Sequence, residues 1–125
     1  MLTYYIYEDE NDKWIDNKNW CDLLKPYFMD DNEKLHEKVY LCPIDKTGPC
    51  SYAMNKNIPA DANELPGDFV LLFESVPGWS QTGGADDVVT NRHGEKNPGA
   101  NIAFADGRVE FVKSEDIPTL RWTVE

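Results

Sequence analysis

Two alternating apolar runs closing around Ala105-Asp106-Gly107-Arg108 constrain this chain more than any other feature. The first is Asn101-Ile102-Ala103-Phe104 and the second Val109-Glu110-Phe111-Val112. Asp-Gly between such runs is a strong signal for a tight β-hairpin, because both central residues of a two-residue turn need positive φ. With Asp106 and Gly107 as the turn, Phe104 is predicted to face Val109 and Ile102 to face Phe111. Ala103/Glu110 and Ala105/Arg108 then fall on the other side, and the large apolar groups share one face. Asp106 can also accept bonds from the backbone amides of its own turn.

Asp68-Phe69-Val70-Leu71-Leu72-Phe73-Glu74-Ser75 is apolar on both alternating faces, which predicts a central strand covered on both sides. Asn19 is a plausible N-cap, after which Trp20, Leu23, Leu24 and Tyr27 recur at helical spacing until Pro26 and the Met29-Asp30-Asp31 stretch stop the run. A short helix covering the sheet follows. Residues 34–40 suit one further helical turn or an extended approach to Cys42. Residues 42–67, with four Pro and two Gly, predict a long ordered loop or very short strands, and the Gly-rich stretch 77–99 predicts a second long loop. Trp122 is expected to fold back as a cap on the core. The fold class is α+β, with residues 1–125 forming a single domain.

Formal net charge is −11 with a pI near 4.5, and such a surface repels phosphate backbones and anionic membranes. Nucleic acid is excluded as a partner on that ground. The sequence holds no run of about eighteen apolar residues and no basic region leading into an apolar one, so by itself it predicts a cytosolic chain. Phosphate-binding, dinucleotide-binding and Gly-x-Ser-x-Gly motifs are absent, which predicts a non-enzymatic protein. A Cys-His nucleophile pair could be drawn only from Cys21 or Cys50 with His93.

Cys21, Cys42 and Cys50 leave one thiol over. Two Pro and one Gly between Cys42 and Cys50 can turn the chain back on itself, so the favoured pairing is Cys42–Cys50, with Cys21–Cys42 next and three reduced thiols as the alternative. A zinc site is not expected, because neither a close Cys pair nor a His pair at ligand spacing is present. For His93 the structural reading is a neutral imidazole that hydrogen-bonds the loop to the last hairpin. The functional reading is a metal ligand or an acid/base group. Asp86, Asp87, Asn91 and Asn97 offer the oxygen ligands calcium prefers, without a strict ligand spacing. Trp79 and Trp14 beside this acidic loop could stack on a sugar ring, so a calcium- or carbohydrate-binding module is the alternative function.

His93-Gly94, then a strand of small residues with Asn101 and Phe104 closing on Ala105-Asp106-Gly107, resembles the C-terminal signature of bacterial pilin-like proteins, the prepilin-type processing-associated His…Asp-Gly domain. The spacer from Gly94 to Ala105 is longer than in that pattern, with Glu95-Lys96-Asn97-Pro98 as the insertion. Further segments resemble the family in the same order: Tyr5 to Trp14 as the end of a first helix, Trp20 to Tyr27 as its Trp…Leu…Pro-Tyr segment, and Cys42-Pro43-Ile44-Asp45 with Ser51-Tyr52-Ala53-Met54-Asn55 as its Cys-Pro and Ser-Tyr block.

The resemblance implies a pilin or type II secretion pseudopilin head. In such a head an N-terminal helix, truncated here, and a short helix pack on a small antiparallel sheet with long loops. It also implies a hydrophobic helix upstream of Met1 that anchors the native protein in the inner membrane and contacts other pilin subunits, with an extracytoplasmic head. Residues 2–8, strand-like by propensity, become the last turns of that helix. His93, Asn101, Phe104, Asp106 and Gly107 become signature residues maintaining the fold. Pseudopilins as a class carry a calcium-bound loop before their last strands, so the resemblance makes Asp86, Asp87 and Asn91 the calcium candidates.

Overall fold

The computed structural model describes residues 19–29, 32, 37–59 and 64–124. The helical turns expected over residues 2–8, and Trp14, lie outside the described residues. Among the described residues no helix is long and apolar enough to cross a membrane.

Five strands form one sheet: β1 (Tyr52–Asn55), β2 (Val70–Glu74), β3 (Gln81–Gly83), β4 (Gly99–Phe104) and β5 (Val109–Lys113), in the order β3-β1-β2-β4-β5. The architecture is mixed helix and sheet, as expected. β2 is central and all five of its residues are buried, as its apolar run on both faces requires. Among the described residues one α-helix precedes the sheet, α1 (Trp20–Leu24), continued by a 3-10 turn over Lys25–Phe28 with Pro26 in its first turn. Asn19 stands at the N-cap without a side-chain bond there. The segment before Cys42 takes the helical option, a 3-10 turn over Glu37–Tyr40.

The sheet departs from expectation at one edge. β3 lies inside the segment read as a loop, and it pairs in parallel with β1, so the sheet is mixed and not wholly antiparallel. A three-residue strand inside a Gly-rich stretch carries too little alternation to be seen in sequence.

The hairpin exists, but its register is corrected by one residue. Ala103 pairs with Val109, Ile102 with Glu110 and Asn101 with Phe111. Gly107 N donates to Phe104 O at 2.9 Å, Phe104 N donates to Arg108 O at 3.0 Å, and only Gly107 of the turn has positive φ, at 91°. The loop is therefore Ala105-Asp106-Gly107, a turn followed by a left-handed glycine, and not a two-residue Asp-Gly turn. One residue of slip reverses the faces of an entire strand. Ile102 and Phe104 stay buried, whereas Val109 and Phe111 point the other way and are 44% and 47% exposed. Arg108 now shares a face with Phe104 and lies over its ring at 4.3 Å.

Each sheet face carries its own core. On the helix side Trp20, Cys21, Leu24 and Phe28 pack with Tyr40, Cys42, Cys50, Tyr52, Met54, Phe69, Leu71, Leu72, Ala103 and Ala105. Leu23, expected in that stripe, is 46% exposed. Leu71 and Leu72 join the same core because the β2–β4 register shifts between Val70 and Leu72, a bulge that sets two residues against one. On the opposite face Phe73, Ile102, Phe104 and Val112 are covered by Ile117 and by Trp122, whose ring meets Phe73 edge-on at 5.4 Å. Trp122 thus caps the core as its apolar bulk predicts, its indole N–H donating to Ile117 O at 2.8 Å. Buried Asn55 ties that cap to the sheet: Nδ2 donates to Val70 O at 2.8 Å and to Trp122 O at 3.1 Å.

Candidate functional site

Glu74 ends β2 with no exposed side-chain surface, in the middle of the sheet. A carboxylate there must be paired and hydrogen-bonded, because burying it bare costs far more than a strand gains. Three partners meet it. Asn101 N, on neighbouring β4, donates to Oε1 at 2.7 Å. Arg92 Nη1 donates to Oε2 at 3.2 Å. His93 Nε2 faces both oxygens, 2.8 Å from Oε1 and 2.7 Å from Oε2.

Arg92 spans three segments. Nη2 donates to Ser75 O at 2.6 Å, Nη1 also reaches Ser51 O at 3.3 Å, and Nε lies 3.4 Å from Asp45 Oδ2 without hydrogen-bond alignment. Asp45 is held below the usual carboxylate range, first by the Thr47 hydroxyl and amide and then by Arg92. The 42–50 and 76–98 loops are thereby locked onto the same strand end. Tyr52 nearby shows how dry the setting is, since burial pushes its phenol up to about 12.

Cys42 completes the cluster. Its amide donates to Ser51 Oγ at 2.9 Å and its Sγ lies 3.9 Å from His93 Nε2. Cys42 Sγ, a Glu74 carboxylate oxygen and the His93 ring nitrogen all fall within 4.8 Å of one another, the arrangement of a metal-ligand set. A nucleophile relay is a different geometry, because its histidine takes the nucleophile's proton on one ring nitrogen while the acid holds the other. Here sulfur and carboxylate converge on the same nitrogen.

The expected Cys42–Cys50 bond is absent, and so is Cys21–Cys42; all three thiols are free and buried. Cys42 Sγ faces His93, while Cys50 lies against the Cys21 thiol and its Sγ donates to Tyr52 O at 3.6 Å. The side-chain hydrogen bond with Cys50, and then the Ser80 amide donating at 3.1 Å, lower the Cys21 thiol below its usual value. The same contact, with burial, raises Cys50. Ser80 returns the bond, its hydroxyl accepting from Cys21 N at 3.1 Å, and it sits at φ +51°, a left-handed conformation this reciprocal pair holds in place.

Asn101 and His93 come together, with Asn101 Nδ2 3.4 Å from Nε2, but the main tie of His93 is to β2 and not, as expected, to the hairpin. Asp106 acts as predicted, Oδ1 accepting from Arg108 N at 3.0 Å, and Phe104 is buried against the second core. Asp86 and Asp87 lie on a 3-10 turn lining an open surface depression that Asn91 does not line, and Asp87 Oδ2 accepts the Gly84 amide at 2.9 Å. The Trp79 ring packs on Tyr40 at 4.8 Å, carries Lys25 Nζ at 5.3 Å and donates its N–H to Asp22 Oδ1 at 3.1 Å, so much of it is already engaged.

Glu74 and Arg92 are the central residues that the motif search passed over. Two acids, Asp68 and Glu74, bound the apolar run, and only the fold shows that Glu74 is buried while Asp68 is exposed and pairs with Arg121. No family model matches the chain, and neither a curated protein nor a solved structure matches it.

Proposed function

We propose that this chain is the globular head of a non-enzymatic pilin- or pseudopilin-like subunit, carried outside the cytoplasmic membrane by a hydrophobic helix that precedes Met1. One observation supports this most. Four residues from two of the segments that carry the resemblance, Cys42 and Ser51 of one and His93 and Asn101 of the other, meet around Glu74. Signature residues spent on joining loops to a sheet suit a subunit whose work is to hold shape. The convergence of sulfur and carboxylate on a single imidazole nitrogen also favours a structural role over acyl or phosphoryl transfer.

In this reading the upstream helix packs into a filament, and the head presents the 42–67 and 77–99 loops to neighbouring subunits or cargo. Determining the upstream gene sequence and fractionating the native protein tests it. A processed leader and hydrophobic helix, with the protein in the membrane or filament fraction, is the expected result. An open reading frame starting at Met1 with the protein in the cytosol overturns it. The alternative, a soluble calcium- or carbohydrate-binding module, has less support, since Trp79 is engaged by Tyr40, Lys25 and Asp22.

A further inference from the structure

We propose that Cys42, Glu74 and His93 bind a transition-metal dication, zinc foremost, which fastens two loops to the end of the central strand. His93 Nε2 is the point of convergence. Four atoms crowd it: both Glu74 oxygens at 2.8 and 2.7 Å, Asn101 Nδ2 at 3.4 Å and Cys42 Sγ at 3.9 Å. One N–H satisfies one acceptor well, or two shared, and it leaves the sulfur with nothing. A cation between them uses the nitrogen lone pair, the sulfur and the carboxylate together.

The spacing suits a small ion. Zinc–sulfur and zinc–nitrogen bonds of about 2.3 and 2.0 Å at a tetrahedral angle set the two ligand atoms about 3.5 Å apart. The observed 3.9 Å closes to that by about 0.4 Å, whereas His93 Nε2 and the Glu74 oxygens, in direct hydrogen-bond contact at 2.8 and 2.7 Å, part by about 0.5 Å to admit the ion. Both carboxylate oxygens already face the same point, and their outer bonds to Asn101 N and Arg92 Nη1 aim them there, as outer-shell partners of metal ligands do. Ser51 Oγ likewise holds the Cys42 backbone.

Charge points the same way. With His93 as a neutral ligand, Arg92 shared between the carboxylates of Glu74 and Asp45 leaves one negative charge, and a metal-bound Cys42 thiolate would add a second. A dication neutralises both. The donor set of one sulfur, one imidazole nitrogen and one carboxylate selects zinc or its borderline neighbours over calcium and magnesium, which take oxygen alone. Three protein ligands leave a fourth position, and the imidazole, with 17% of its side chain exposed against none for Glu74, marks the side from which water fills it. The sequence hid this set because its members are far apart and include no His or Cys pair. The site does not depend on the pilin-like reading.

Cobalt(II) titration of the full reduced chain, followed by zinc competition, tests it. One equivalent of cobalt is expected to produce a thiolate-to-cobalt charge-transfer band with intense tetrahedral visible bands, which zinc then abolishes, and zinc is expected to raise the unfolding midpoint. Cys42→Ser should lose the charge-transfer band and bind zinc at least tenfold more weakly, whereas a Cys21→Ser/Cys50→Ser protein should keep both signals. A wild-type chain with no such band and no zinc-dependent stabilisation overturns the proposal. So does a band that survives Cys42→Ser.

Discussion

Asp22 is a surface carboxylate with an unusual share of tertiary work. It accepts the Trp79 indole N–H and pairs with Lys25 Nζ at 3.2 Å, and these contacts, the indole first, hold it below its ordinary value of 3.8. A carboxyl depressed in the folded state stabilises that state above its unfolded value and loses the contribution as pH falls through the folded one. Asp22→Asn is therefore expected to lower the unfolding midpoint at neutral pH and to converge with wild type in acid below the carboxylate range, with tryptophan emission reporting the change at Trp79. Parallel curves at all pH values would show that the pair contributes nothing. None of this was legible from sequence, where Asp22 is one acid among 23 and Trp79 is 57 positions away. Glu74 was no easier to read, since it and Asp68 bound the same apolar run and only the sheet decides that Glu74 is the buried one.

At the level of elements, the hairpin separates what a pattern specifies from what a turn decides. Alternation fixed the two strands, but Asp-Gly is compatible with a two-residue and a three-residue loop, and the choice between them moved Val109 and Phe111 to the opposite face. Two glycines of this unit give contrasting tests. Gly107 has φ +91° with open space around a would-be Cβ, so Gly107→Ala should cost about 1 kcal/mol of left-handed strain and leave the fold intact. A Cβ on Gly99 would collide with the Val112 carbonyl oxygen of the paired strand and press on the Phe111 ring. Gly99→Ala is expected to cost about 3 kcal/mol by overpacking and strand displacement, read as the shift in urea midpoint. Equal losses for the two variants would contradict this account of the turn. β2 was readable because it is apolar on both faces, and α1 because Trp20 and Leu24 recur at helical spacing; β3 was not, because three residues carry no period.

Across the whole molecule, the sheet divides two cores, and the thiols lie in the helix-side one. Cys21 on α1 and Cys50 just before β1 are in side-chain contact, so a bond between them would tie the helix to the sheet. Oxidised glutathione, which takes up the two electrons and two protons released, is expected to join Cys21 to Cys50 and leave Cys42 free, with peptide mapping as the readout. A Cys42–Cys50 linked peptide from folded protein would show the thiols arranged otherwise. The sequence by itself determined the kinds of element, because apolar periodicity, Asp-Gly and Pro act within a few residues of chain. It also determined the surface charge, which is a sum and needs no coordinates. Only the tertiary structure decided strand register, the parallel edge at β3, which thiols meet, and the gathering of Cys42, Glu74, Arg92 and His93, because each depends on the path the chain takes between distant segments.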